Sequence, residues 1–205
     1  MHYRSIAVAA ILAAAAVMAA GAARADEAAD AAAFAKRMFA GSVASKDKSY
    51  ACFTRRYDAA HLRQHPQQKV TAMKLLVSAE TVPEDQALNY TFALAVKFRD
   101  RNGDFDSGGS CGHPMASQES ADKLVLGCGV DCDGGGLSVE MVNADKSVMV
   151  RLDQLAIWNR AKPDDERGAF NGGADDKAFR LYRVSMDECK SLMPKDDDLA
   201  SLEQK

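Results

Sequence analysis

LNYTFALAVKFR, residues 88–99, is the stretch that decides the fold class. Tyr90, Phe92, Leu94, Val96 and Phe98 fall on one side of an extended chain. Asn89, Thr91, Ala93, Ala95, Lys97 and Arg99 fall on the other. A period of two belongs to a strand with one buried face and one wet face. Asn102-Gly103 follows, and both residues tolerate the positive φ of a tight hairpin turn. DFDSGGSC, residues 104–111, then reads as the return strand.

The same period extends in both directions. In VTAMKLLVSAE (70–80), Thr71, Met73, Leu75 and Val77 share a face. ADKLVLGC (121–128) turns Leu124 and Leu126 inward. GLSVEMVNADKSVMVRLDQLAIW (136–158) reads as a hairpin: Leu137, Val139 and Met141 alternate up to a loop at 143–146, and Val148, Val150 and Leu152 continue beyond it. The alternation then slips by one, to Leu155 and Ile157. A β-bulge near Asp153 does this, and so does the end of one strand and the start of another. KAFRLYRV (177–184) is the last strand. No strand–helix–strand repeat occurs, which argues against a doubly wound α/β fold. The expected class is mainly β: a small antiparallel barrel or sandwich with short flanking helices.

Helical patterns sit at the margins. DEAADAAAFAKRMFAG (26–41) is alanine-rich, with Phe34 and Met38 four apart on one face and Gly41 placed to end it. In YDAAHLRQHP (57–66) Asp58 can cap a short helix that Pro66 stops. SMDECKSLM (185–193) carries Ser185 and Glu188 at capping-box spacing, with Pro194 after it. The polar run 159–176 is expected to be a long loop and a contact element.

The first 25 residues have Arg4, an apolar run from Ile6 to Ala20, and Ala23-Arg24-Ala25. This is the pattern of a bacterial secretory signal cleaved after Ala25, and the apolar run is too short for a transmembrane anchor. The expected organisation is a signal peptide over 1–25, a short helix and linker over 26–48, a single β-rich domain over 49–194, and an acidic tail over 195–205. The chain of 205 residues has a net charge of −3, and removing the leader's two arginines leaves −5. A mildly acidic, well-mixed chain with no basic patch evident in sequence argues against nucleic acid as a partner.

Export gives the cysteines their context. Cys52, Cys111, Cys128, Cys132 and Cys189 all follow the leader, and an oxidising compartment favours disulfides. Five cysteines leave one over. Among the many pairings, Cys111–Cys128 would tie the segment after the first hairpin to the next strand, and Cys52–Cys189 would clamp the two ends of the β region. GCGVDCDGGG, residues 127–136, has neither the lysine nor the hydroxyl that a phosphate loop requires after its glycines. It reads as a corner between strands. Its metal alternative is zinc on Cys111, His113, Cys128 and Cys132.

Two further metal candidates stand out. His61 and His65, four apart on the short helix, share a face and can hold zinc or copper with a third ligand. Asp100, Asn102, Asp104 and Asp106 alternate as in the first half of a calcium loop, but Phe105 stands where that loop needs glycine and Cys111 where it needs glutamate. No motif demands a cofactor. The functional expectation is an exported, non-catalytic binding or interaction domain with a protein or small-molecule partner. The alternatives are a metal-dependent hydrolase built on His61 and His65, and a structural, envelope-associated protein.

Overall fold

The computed structural model describes residues 29–40, 48–82, 87–117, 123–162 and 167–193. The expected leader with its cleavage point, Gly41, most of the linker, Pro194 and the acidic tail lie outside the described residues. Ten strands follow in chain order: β1 (Ser49–Arg56), β2 (Val70–Val82), β3 (Ala87–Phe98), β4 (Phe105–Cys111), β5 (Met115–Ala116), β6 (Leu124–Gly129), β7 (Gly135–Val142), β8 (Ser147–Asn159), β9 (Gly168–Ala169) and β10 (Ala178–Val184). Neighbours run β10-β1-β2-β3-β4-β6-β7-β8, and β8 pairs back onto β10. The result is a closed antiparallel barrel of eight strands. β5 and β9 are two-residue additions to β6 and β8. A barrel rather than a sandwich forms because closure pairs the outer edges of β1 and β8 through β10.

The alternating residues line the interior. Tyr90, Phe92, Leu94, Val96 and Phe98 of β3 are all buried, as are Met73, Leu75 and Val77 of β2. Leu126, Leu137, Val139, Met141, Val148, Val150, Phe179 and Leu181 complete one continuous cluster. The barrel is therefore filled by side chains. Thr71 departs from its expected place. The β2–β3 register shifts between Val70 and Ala72, so Val70 is buried while Thr71 gives its hydroxyl to the Lys97 carbonyl at the surface.

The slip in β8 is a bulge inside one strand. Gly135 faces Leu155 and Leu137 faces Leu152, so two residues of β7 span three of β8. The extra residue resets the inward phase, and Leu155 and Ile157 are buried like Leu152. It also carries the end of β8 past β7, where Trp158 and Asn159 pair with Asp106 and Phe105 of β4. Gly135 makes this crossing feasible. Its φ is +74°, and a Cβ there would lie 1.8 Å from the Gln154 carbonyl oxygen.

Each end of the barrel is stoppered. At one end helix α1, described over residues 29–38, inserts Phe34 and Met38, both fully buried. Phe34 meets the Tyr90 ring edge-on at 6.2 Å and Phe39 stacks on it at 6.3 Å. Arg183 of β10 lies over Phe53 and donates to the Met38 and Arg37 carbonyls at 2.8 and 3.0 Å, satisfying the end of the helix. At the other end Phe98 and Phe179 flank Phe170. The run 159–176 is anchored at three points among its described residues: β9 pairs with β8, Phe170 enters the core, and the buried Asp176 carboxylate accepts from the Lys69, Val70 and Gly173 amides.

Outside the barrel a 3-10 helix, Met186–Leu192, covers β1 and β2, where Leu76 and Met193 surround the Cys52–Cys189 bond. The expected capping box is not made. Ser185 is the N-cap but forms no side-chain cap bond. Lys74 draws Glu188 toward the sheet instead, donating to its carbonyl at 2.5 Å and pairing with its carboxylate at 3.5 Å.

Candidate surface at the β1–β10 seam

The cysteines form staples. Cys52 bonds Cys189 across 137 residues, and Cys111 bonds Cys128, its directly opposed partner on β6, across 17. Both bonds fit an oxidising environment. The zinc arrangement loses two of its four ligands to the second bond. Cys132 is exposed and free. It occupies the turn between β6 and β7, where it and Asp133 take positive φ values of 58° and 57°. The glycine-rich stretch is thus a corner between strands.

The acidic turn is committed to cations. Asp100 pairs with Lys69 at 3.6 Å and Asp104 with Lys97 at 2.9 Å. Arg160 holds Asp106 with two hydrogen bonds, at 2.7 and 2.5 Å, and its own pKa is raised chiefly by them. Each carboxylate already has its counter-charge, so the alternating aspartates do not converge into a calcium cage with Asn102. Among the described residues no group of three or more His, Cys, Asp or Glu is placed to hold a metal.

His61 and His65 do come together, but as stacked rings. Helix α2 (Ala59–Gln64) starts at Asp58, whose carboxylate accepts from the His61 amide at 2.7 Å, and ends at His65. The imidazoles stack at 4.3 Å. His61 Nε2 lies 2.9 Å from Gln68 Oε1, while Gln68 Nε2 donates to the Val70 carbonyl at 2.7 Å. The amide orientation makes Gln68 oxygen the acceptor, so His61 donates through Nε2 and that nitrogen is closed to a metal.

The stack continues beyond the histidines. His61 lies on Tyr57 at 4.6 Å, and the Arg55 guanidinium sits 5.0 Å from the Tyr57 ring and 5.2 Å from Tyr182. His65, His61, Tyr57, Arg55 and Tyr182 thus form one ladder from α2 across β1 to β10. Strand geometry opens a place for it. β1 pairs with β10 only over Cys52–Thr54, and Arg55 and Arg56 run on without a β10 partner. Arg55 fills the resulting seam. Burial pushes the Tyr57 hydroxyl above its ordinary pKa; Arg55 opposes this and Asp176 adds to it.

The ladder's surroundings are basic. Tyr182 is 40% exposed, and Arg180 precedes it by two on the same outward face of β10. Thr54 lies opposite Tyr182, and Arg56 follows Thr54 by two along β1. Arg56 and Arg180 are exposed and have no ion pair among the described residues. Asp58, the exposed N-cap of α2, feels the Arg55 charge. The sequence shows no such patch because β1 and β10 contribute to it from more than 120 positions apart; only the arginine pair 55–56 and the outward Arg180/Tyr182 alternation hinted at it. The chain matches no protein-family model, no curated protein and no solved structure. No helix among the described residues is long and apolar enough to cross a membrane.

Proposed function

We propose that this is an exported bacterial binding domain, at work in the periplasm or beyond, that recognises an acidic protein partner through the outer seam of the barrel. The observation that carries the reading is Arg55 held between Tyr57 and Tyr182. Tyrosine and arginine are, with tryptophan, the residue types enriched among those that dominate binding energy at protein interfaces. A guanidinium already fixed between two rings loses little further freedom on binding, which lowers the entropic cost of association. The neighbouring Arg56 and Arg180 supply unpaired positive charge on a chain that is acidic as a whole, and such charge complementarity selects and steers a partner. The filled interior favours recognition on the outside of the barrel over a ligand held within it.

Site-specific photo-crosslinking tests this. A photoreactive side chain is placed at Thr54 or Arg180 in cells that export the protein, and at Ser138, on β7, as a remote control. The reading predicts a discrete protein adduct from the two seam positions, none from Ser138, and loss of the adduct when Arg55→Ala is added. Adducts of equal intensity from all three positions, or none from the seam, reject it.

A further inference from the structure

A separate groove lies at the β3–β4 hairpin. It is open to solvent, has a volume of about 570 Å³ and is lined by Thr71, Lys97, Arg101, Asn102, Asp104 and Arg160 among others. Three of these side chains are cationic, and two of the three are already neutralised. Lys97 pairs with Asp104 at 2.9 Å, and Arg160 holds Asp106 with two hydrogen bonds and lies 4.0 Å from Asp104. Asp100, next in sequence to Arg101, is taken by Lys69.

Arg101 is the cation left over. Its guanidinium lies 3.9 Å from the Phe98 ring centroid and 5.0 Å from that of Phe105, so the plane is fixed by aromatic contact. Nη1 reaches only the Ala169 carbonyl, at 3.5 Å, a long bond. Nη2 is buried and has no hydrogen-bond partner among the described residues. A guanidinium cannot relieve this by losing its proton, and buried donors in native proteins are almost always met by an acceptor.

We infer that this groove is a binding site for a small oxyanion, a carboxylate or phosphate group, with Arg101 as its anchor. Three features fit that class. The planar fork of arginine matches two oxygens of a carboxylate or phosphate. The charge of the groove is uncompensated by one unit, located on Arg101. The aromatic floor beneath the guanidinium weakens its access to water and so strengthens its attraction for an anion. The inference does not rest on the seam, which uses different residues.

The test is NMR of the arginine side-chain N–H groups in the intact protein, titrated separately with inorganic phosphate and with acetate at constant ionic strength held by chloride. The expected result is a saturable shift of the Arg101 side-chain signals with a dissociation constant in the millimolar range, with the stronger of the two salts naming the preferred oxyanion. Arg101→Lys keeps the charge and loses the fork, and is expected to weaken binding at least tenfold. Arg180→Ala, on the seam, is expected to leave it unchanged. Because the wild-type titration needs no variant, misfolding of the lysine form does not rescue the inference. An Arg101 signal that stays still in both salts, that moves equally with chloride alone, or that tracks a loss of affinity in Arg180→Ala would overturn it and leave a buried water as the partner of Nη2.

Discussion

The two disulfides should differ in worth, and the structure says by how much. Cys52–Cys189 closes a span of 137 residues and Cys111–Cys128 one of 17. In the chain-entropy description, stabilisation grows with the logarithm of the closed loop, which gives about 5 kcal/mol for the long span and about 3 kcal/mol for the short one. Nesting the short loop inside the long one changes the first figure little, because a logarithm is insensitive to losing so few residues. The native contexts point the same way. Cys111 and Cys128 already face each other across paired strands, so hydrogen bonding keeps them close without the sulfur bond. Cys189 is fully buried and fastens a 3-10 helix that has only one small apolar cluster of its own. The assay is urea unfolding of Cys52→Ala/Cys189→Ala and of Cys111→Ala/Cys128→Ala, each with the other bond intact and with Cys132→Ser present throughout to stop thiol exchange. The gap of about 2 kcal/mol should separate the midpoints by about 1 M urea if the slope is about 2 kcal/mol/M. Equal midpoints, or the short-loop variant unfolding first, would refute the reasoning. Stabilisation would then lie in local native contacts rather than in the unfolded chain.

Other predictions concern single groups. Glu140 is buried on the outer face between Lys123 and Arg151, at 3.2 and 3.0 Å. Burial alone would raise its pKa, but those two cations outweigh it and hold the carboxyl below its ordinary value. A depressed carboxyl stabilises the fold above the unfolded pKa and loses that contribution as pH falls through the folded one. Glu140→Gln should therefore be less stable than wild type by about 1–3 kcal/mol at neutral pH, with the gap closing in acid denaturation below about pH 4.5. The Tyr90 hydroxyl, lifted to about 12 by burial beneath α1, should ionise late in an ultraviolet titration. Its stabilising effect is present below the ordinary value near 10 and fades as pH rises through 12; Phe34→Ala, costing about 3–5 kcal/mol, should bring the titration back toward 10. Asp176→Ala strands three backbone amides and should cost at least about 2 kcal/mol, with hydrogen exchange faster at Lys69, Val70 and Gly173.

Much of the barrel was legible in the sequence, and the reason is the pleat. Each strand buries every second residue, so Tyr90 to Phe98 and Leu137 to Leu152 announce their faces directly; the phase slip before Leu155 was visible too, but a bulge and a break between two strands leave the same trace in sequence. Closure was not legible. It depends on Tyr182 pairing toward Ser147 on one side and Thr54 on the other, and alternation carries no record of which edges meet. The candidate surfaces were less legible still. His61 and His65 drew attention as a metal-like pair, yet whether two imidazoles chelate or stack is set by Gln68 and Tyr57, which no spacing rule connects to them. The four alternating acidic-turn residues suggested calcium because Lys69, Lys97 and Arg160, which take the carboxylates, lie at other places in the chain. The seam needs three separate elements to converge, and only the tertiary fold brings Arg55 between its two tyrosines. The capping box failed for a related reason: Lys74, on another strand, outcompetes a local bond at Ser185.

The barrel is closed in this register and stapled by two bonds. Digesting the protein without reduction, after alkylating thiols under denaturing conditions, and weighing the peptides tests it most directly. The account predicts one peptide pair joined through Cys52 and Cys189, one through Cys111 and Cys128, and label on Cys132 alone. A bond involving Cys132, or label on Cys52, Cys111, Cys128 or Cys189 in protein recovered from outside the cytosol, would contradict it, since the two staples would then not be the ones the register brings together.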